Sequence, residues 1–374
     1  MPYYADLNPA SPLFARDWNG DETARLRAVD RLLALREALA SAPGAPPQRD
    51  VGSLLLATWN LREFDSATWG ARIPEAYAFI AEIVDRFDLV AVQEVRDDLR
   101  ALDQLRFRLG EHWDYLVSDV TEGQAGNRER LAYLYDRRKV QFLGVAGELV
   151  LPPVRSGGQE VPAQQVARTP LMAAFQVGWT KFVLTTVHIV YGDATAAPEA
   201  RVEEIREVAR FLRERTESAT EPIRNFILLG DFNIFAATDA TMLALTDDGG
   251  FTVPPAIQRI PGSNVPKDKK YDQIAYRSRE GRFEATGEAG VFDYYEHVFR
   301  NEDEEAYRPA IDAYIAERAA AGARSPKPPK DDAAARTQYR TWRTYQMSDH
   351  LPLWTEFRVD FASEYLSSLG APQP

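Results

Sequence analysis

The chain contains no cysteine in 374 residues, which excludes disulfides and thiolate metal sites and leaves a metal only oxygen or imidazole ligands. Histidine is scarce, with four in the whole chain. An excess of positive charge is missing too. The formal net charge of -12 argues against broad, field-driven attraction to nucleic acid or anionic membrane, so any nucleic-acid contact must come from local basic groups. No apolar run reaches membrane-spanning length. The start, Met1-Pro2-Tyr3-Tyr4-Ala5-Asp6, lacks the basic stretch and apolar run of an export signal. The expectation is a cytoplasmic protein; an exported protein supplied without its signal would read the same way. No internal repeat is visible.

What is present organises into an N-terminal extension (1–50), a main domain (51–360) and a short tail (361–374). In the extension Asp21 caps a helix running to about residue 41, with Leu26, Val29, Leu32, Leu33 and Leu39 as its apolar stripe. Arg25, Arg27, Arg31 and Arg36 lie on its other sides, and a Pro/Gly linker follows. From Val51 the pattern becomes mixed. Strands are expected at 54–59 (ended by Asn60), 88–94, 115–118, 129–135, 140–150, 171–177, 182–187, 226–229, 271–276, 291–299 and 351–357. Helices fit 72–86, 97–110 and 199–215, and a Gly/Asn-rich turn precedes Glu129. This order suits two packed sheets covered by helices better than one alternating parallel sheet. Residues 300–346 read as a charged, helical insertion with a Pro/Lys-rich, mobile middle.

The chemistry gathers at strand ends. Phe226-Ile227-Leu228-Leu229 stops at Gly230-Asp231, and Asn233 follows within the turn. Asp231 can take a proton or hold a cation, and the Asn233 amide can orient a water or a phosphate oxygen. Other strand ends offer Asn60, Glu94, Glu129, His188, Asp272, Asp349 and His350. Singly, each has a dull explanation as a cap, a turn residue or a hydrogen-bonded core histidine. Together they suit a hard cation such as Mg²⁺, with Mn²⁺ or Ca²⁺ as alternatives, and two imidazoles for proton transfer beside it. That combination is what metal-assisted phosphoester hydrolysis requires.

The ordered motifs ATWN, LVAVQEVRD, NRERLAYLYDRRKV, TTVHI, LLGDFN, YDQI and MSDHLPLW resemble the endonuclease/exonuclease/phosphatase superfamily, in its deoxyribonuclease I-like branch. The resemblance spans about residues 52–357. It implies an α+β fold, a four-layer αββα sandwich of two mixed sheets. It also implies roles. Glu94, helped by Asn60, is the main metal ligand, and Asp349 binds or orients a second cation. Asp272 holds His350 against the scissile phosphate, Asp231 and Asn233 position the attacking water, and Glu129 supports His188 as the acid for the leaving oxygen. Either His350 or Asp231 is the general base. Arg96 and Arg130 are substrate-binding positions, Arg96 resembling a residue that enters the DNA minor groove.

His112 and His297 have no motif context and read as structural. In the insertion, Tyr339-Arg340-Thr341-Trp342-Arg343-Thr344-Tyr345 interleaves arginine with aromatics, either to meet bases and phosphates or as an amphipathic helix facing the core. The reading is a Mg²⁺-dependent phosphodiesterase, an endonuclease with DNA as its partner. Its rivals are a phosphoesterase acting on a phospholipid headgroup, inositol phosphate or nucleotide, and a catalytically silent binding module.

Overall fold

Successive residues of a strand face opposite sides of its sheet, so the continuous apolar run 54–59 demands a layer on each side. The computed structural model supplies both. It describes residues 1–64, 66–122, 127–279 and 283–370, so part of the turn expected before Glu129 and the last residues of the tail lie outside the described residues. In chain order, α1 (Pro12–Trp18) and α2 (Glu22–Ser41) precede β1 (Ser53–Phe64), α3 (Pro74–Val84), β2 (Leu89–Arg96), α4 (Arg100–Leu109), β3 (Trp113–Val117) and β4 (Glu129–Asp136). Then come β5 (Gln141–Glu148), a small hairpin of β6 (Val154–Ser156) and β7 (Gln159–Val161), β8 (Leu171–Val177), β9 (Thr180–His188), α5 (Glu199–Glu217) and β10 (Asn225–Asp231). After α6 (Ala240–Leu243) and α7 (Pro255–Arg259) follow β11 (Asp272–Ser278), β12 (Glu284–Val291), α8 (Glu304–Ala320), α9 (Asp332–Gln346), β13 (Leu353–Arg358) and α10 (Ala362–Gly370).

The strands form a six-stranded sheet in the order β12-β13-β1-β2-β4-β3 and a five-stranded sheet in the order β11-β10-β9-β8-β5. Both are mixed, since β1–β2 and β9–β10 pair parallel while their neighbours pair antiparallel. Leu55, Ala57 and Trp59 point outward into a helical layer with Leu35, Phe79, Leu105, Tyr307 and Trp342. Leu54 and Leu56 point inward to meet Leu184 and Leu228 of the second sheet, whose outer face is covered by Ile205, Val208 and Leu212 of α5. The result is a four-layer αββα sandwich. Among the described residues no helix is long and apolar enough to cross a membrane.

Several local expectations are corrected. Asp21 does cap α2 by accepting from Ala24 N at 2.9 Å, but the buried face is Ala28, Leu32, Leu35, Ala38 and Leu39, with Leu26 and Leu33 exposed. The helix is rotated because its arginines face protein. Arg27 pairs with the buried Glu75 of α3, which also accepts from the Tyr307 hydroxyl of α8, and Arg36 lies 2.8 Å from Glu82. Residues 292–299 are not a strand; the strand is Glu284–Val291, and Asp293 then caps a 3-10 turn by accepting from Tyr295 N at 3.1 Å. The run is apolar because Phe292, Tyr294, Val298 and Phe299 fill the helical layer. Asn60 does not end β1, which runs on to Phe64 through an irregularity in its pairing with β2. In α9, Tyr339 and Trp342 are buried and Arg343 donates to Phe299 O at 2.8 Å, so this part of the Arg/aromatic run belongs to the core.

At the sandwich end away from these bulges, Asp136 is fully buried between Arg49 and Arg138, both at 2.6 Å. Burial alone would raise its pKa, but the two guanidiniums outweigh it and hold the carboxyl far below the ordinary carboxylate range. A depressed pKa contributes stability above the unfolded value near about 4, and that stability is lost as pH falls toward the folded value. Asp136→Asn should therefore cost about 3 kcal/mol at neutral pH, with the gap to wild type narrowing below about pH 4 in denaturant melts.

Candidate active site

The register of three neighbouring strands sets the site. His188 at the end of β9 lies opposite Asp231 at the end of β10, which lies opposite Asp272 at the start of β11. The first sheet brings Asn60, Glu94 and Glu129, and the turn before β13 brings His350. Side chains from both sheets thus meet at one edge of the sandwich.

Each imidazole is gripped from behind. His188 Nδ1 is 2.9 Å from Glu129 Oε2, and His350 Nδ1 is 2.8 Å from Asp272 Oδ2. Their Nε2 atoms then converge on one atom, Asp231 Oδ2, at 3.6 and 3.7 Å. Ser263 Oγ donates to Asp272 Oδ2 at 2.6 Å and fixes that carboxylate in turn. His350 is also pinned through its backbone, where its carbonyl accepts from Trp59 Nε1 at 3.0 Å and the Tyr294 hydroxyl at 2.8 Å.

These neighbours reshape the titrations. Burial lowers the His188 pKa and Arg168 lowers it further, but Glu129 and Asp231 outweigh both and raise it. Burial likewise opposes charge on His350, yet Asp272 and Asp231 raise it well above the ordinary value. Asp272 is raised by its own burial, so the His350–Asp272 pair holds a proton firmly. Glu129 is lowered despite burial because His188 and Arg168 both face it.

The remaining carboxylate, Glu94, sits beside this cluster. Its Oε1 accepts from Asn60 Nδ2 at 2.7 Å and its Oε2 from Glu63 N at 2.8 Å. Asn60 Nδ2 also donates to Asp231 Oδ2 at 3.1 Å, so one amide bridges two carboxylates. Because ionised carboxylates only accept, the amide nitrogen must face them, and the Asn60 oxygen accepts from Arg62 N at 2.9 Å. Asn60 thus bridges the acidic pair through its nitrogen and takes the Arg62 N–H on its oxygen. Arg62, Glu63, Glu94 and Asn233 all have positive φ, at 35°, 45°, 61° and 54°. Such backbone costs about 1–3 kcal/mol per residue and clusters at functional sites. Asn233 N donates to Asp231 Oδ1 at 2.9 Å, and its Nδ2 to Ile189 O at 2.8 Å, which fixes the amide.

Three expected residues fall outside the cluster. Asp349 is nearly half exposed and pairs with Arg62 at 3.2 Å. Arg130 follows Glu129 on β4 and so points to the other face, where it donates to Ser118 O at 2.8 Å. Arg96 donates to Asn127 O at 3.1 Å, on the rim.

Sequence reasoning missed Arg168, a buried residue whose Nε is 2.8 Å from Glu129 Oε2, as well as Ser263 and Arg62. All three stand outside any apolar strand run that could have announced them. It also missed Arg72, whose buried guanidinium donates to the carbonyls of Leu61, Arg62 and Glu63 in the β1 bulge and to those of Gln346 and Met347. This ties the bulge to the end of the insertion.

The donors fit a hard divalent cation. Glu94 and Asp231 offer carboxylate oxygens, and ligand atoms of Asp231, Asp272 and His350 lie within 4.8 Å of one another. Gly230 is needed to place Asp231. Its φ is 135° and a Cβ there would meet Val187 O at 2.1 Å. Gly230→Ala should destabilise the fold by about 2–4 kcal/mol in thermal melts and displace Asp231 from both imidazoles.

A curated deoxyribonuclease from Thioalkalivibrio sp. (strain K90mix) is 32% identical over 193 residues, covering 50% of this chain. The chain spans about half the length of that relative, 48%. Among solved structures, an endonuclease/exonuclease/phosphatase family protein from Bacteroides thetaiotaomicron matches with a TM-score of 0.51 at 17% identity, covering 83% of this chain and 98% of that one. D. rerio TDP2 in complex with a single-strand DNA product matches at 0.48 and 15% identity, over 82% of this chain and 99% of that one. The last likeness is too loose to carry an argument. The description "Endonuclease/Exonuclease/phosphatase family" matches residues 57–277, more than half of the sequence and most of the converging strand ends. With two mixed sheets in the expected sandwich around them, the chain belongs to the endonuclease/exonuclease/phosphatase family.

Proposed function

We propose that the protein is a divalent-cation-dependent phosphodiesterase, with Mg²⁺ as the ion and DNA as the substrate. One observation carries the reading. Two carboxylate-backed imidazoles direct their Nε2 atoms at a single point, Asp231 Oδ2, from 3.6 and 3.7 Å. In-line displacement at phosphorus needs groups on the attack side and the departure side of one centre, and two imidazoles flanking Asp231 support that division of roles.

Glu94 would hold the cation with Asp231 beside it, Asn60 keeping the two carboxylates in place. The cation, when bound, supplies charge neutralisation at the phosphoryl oxygens. The chain's own groups do the rest. His350, charged and fixed by Asp272, binds a phosphoryl oxygen. Asp231, ordered by the Asn233 amide, accepts the proton of the attacking water. His188 gives the proton on Nε2 to the departing sugar oxygen, and Glu129 keeps Nδ1 protonated so that Nε2 faces the reaction. The curated relative named a deoxyribonuclease supports DNA as substrate.

The net charge of -12 favours a second reading, a smaller phosphoester on the same residues. A panel of purified protein with Mg²⁺ against duplex DNA, single strands, RNA, inositol phosphates and sphingomyelin decides between them. Turnover of DNA well above the others is expected. Turnover confined to a non-nucleic-acid ester would move the function to that substrate, and no turnover on any would leave a binding module.

A further inference from the structure

Beside His350, aromatic rings run outward from the site. Tyr271 stacks on His350 at a centroid distance of 5.5 Å and an interplanar angle of 29°. Phe235 meets Tyr271 at 5.7 Å, and Tyr191 meets Phe235 at 6.3 Å. Tyr191 ends the row and is 41% exposed. The open part of this ring offers apolar surface to a ligand at the outer end of the row.

The ring is held in place. Arg201 is fully buried and donates to the carbonyls of Val190, Tyr191, Asp193, Thr195 and Ala196, which fixes the loop after β9. The same guanidinium lies 5.0 Å from the Tyr191 ring centroid and 5.1 Å from that of Phe235. The Tyr271 phenol is pushed up to about 12, by burial first and then by the neighbouring Tyr191. Lys269 Nζ sits 4.4 Å from the Phe235 centroid, a cation at the platform's edge. A rigid aromatic face with a lysine next to it has what an unpaired base and its phosphate need.

The geometry points to Tyr191 as a stacking site for an unpaired nucleobase adjoining the scissile phosphate, which selects single-stranded over duplex nucleic acid. The inference rests on the phosphodiesterase reading and narrows its substrate. In a duplex, base faces are covered by their neighbours, so the Tyr191 ring has nothing to stack on. Stacking also suits an acidic protein, because it draws little on the backbone charge that a net charge of -12 repels.

The test uses the intact protein, Tyr191→Ala and Tyr191→Phe, on a single-stranded oligonucleotide and its duplex with Mg²⁺. Binding of the labelled single strand in EDTA is read by anisotropy. Tyr191→Ala should lower the single-strand to duplex ratio of kcat/KM about 10- to 100-fold through KM, and weaken EDTA binding by a similar factor. Tyr191→Phe keeps the ring and should retain both. With the wild type, moving one abasic position along the oligonucleotide should weaken binding at one register only. A ratio and affinity unchanged in Tyr191→Ala, or equal binding of every abasic oligonucleotide, would overturn the stacking site while leaving the nuclease reading intact. If the wild type cleaves no nucleic acid but hydrolyses another phosphodiester, the underlying reading fails and the stacking site with it.

Discussion

His188→Ala is expected to lose about 10²–10⁴-fold in DNA cleavage while keeping much of its activity on an activated aryl phosphodiester. A sugar hydroxyl is a poor leaving group and needs a proton as it departs, whereas an aryl oxide leaves unaided. In the proposed mechanism His188 supplies that proton, with Glu129 Oε2 2.9 Å from its Nδ1 to fix the tautomer and support the charge. His350→Ala should damage both reactions, since phosphate neutralisation is needed whatever leaves. Glu129→Gln should imitate His188→Ala in milder form. Adding it to His188→Ala should cost little more, because the two act as a unit. Measured kcat/KM on both substrates decides the matter. Equal losses on both would make His188 a phosphate-binding residue instead of the acid.

Glu94→Gln should raise the Mg²⁺ concentration for half-maximal activity and lower turnover, together by at least about 100-fold. The substitution keeps the shape, and the new side-chain oxygen can still accept from Glu63 N or Asn60 Nδ2. What it removes is one negative charge at the strained turn of β2. One of those two donors then faces the new NH₂, so the thermal midpoint without added metal should fall modestly, while Mg²⁺ binding by calorimetry falls away. An unchanged cation dependence would take Glu94 out of the metal site.

Strand ends were legible because His188 and Asp231 close apolar runs and Asp272 opens one, and a run of buried β-branched and leucine residues is the strongest local pattern a strand offers. His188, Asp231 and Asp272 lie side by side for that reason. The bulges were not legible. Arg62, Glu63 and Glu94 adopt left-handed backbone without glycine, which only contacts across the site can enforce. Arg168, Ser263 and Arg72 reach their partners from loops and turns, where no periodicity announces a side chain's direction. In α2 the leucines alone misplaced the buried face, because Arg27 and Arg36 find carboxylates on α3 and turn that side inward. Of the two readings of the Arg/aromatic run of α9, the structure takes the core-facing one for Tyr339 and Trp342. Its composition suits nucleic acid, yet Tyr339 and Trp342 pack against Tyr307 and Phe299 in the helical layer.

The place of β13 bears on how the protein is made. It is the last strand among the described residues, yet it lies inside its sheet between β12 and β1. A ribosome adding about 5–20 residues per second releases β1 long before the strand that covers its edge. Throughout that interval β1 presents open backbone groups, a hazard for pairing with another chain. His350 emerges only just ahead of β13, so its ion pair with Asp272 is also absent through that interval. The strand that closes the sheet thus arrives together with the residue that completes the His350–Asp272 ion pair.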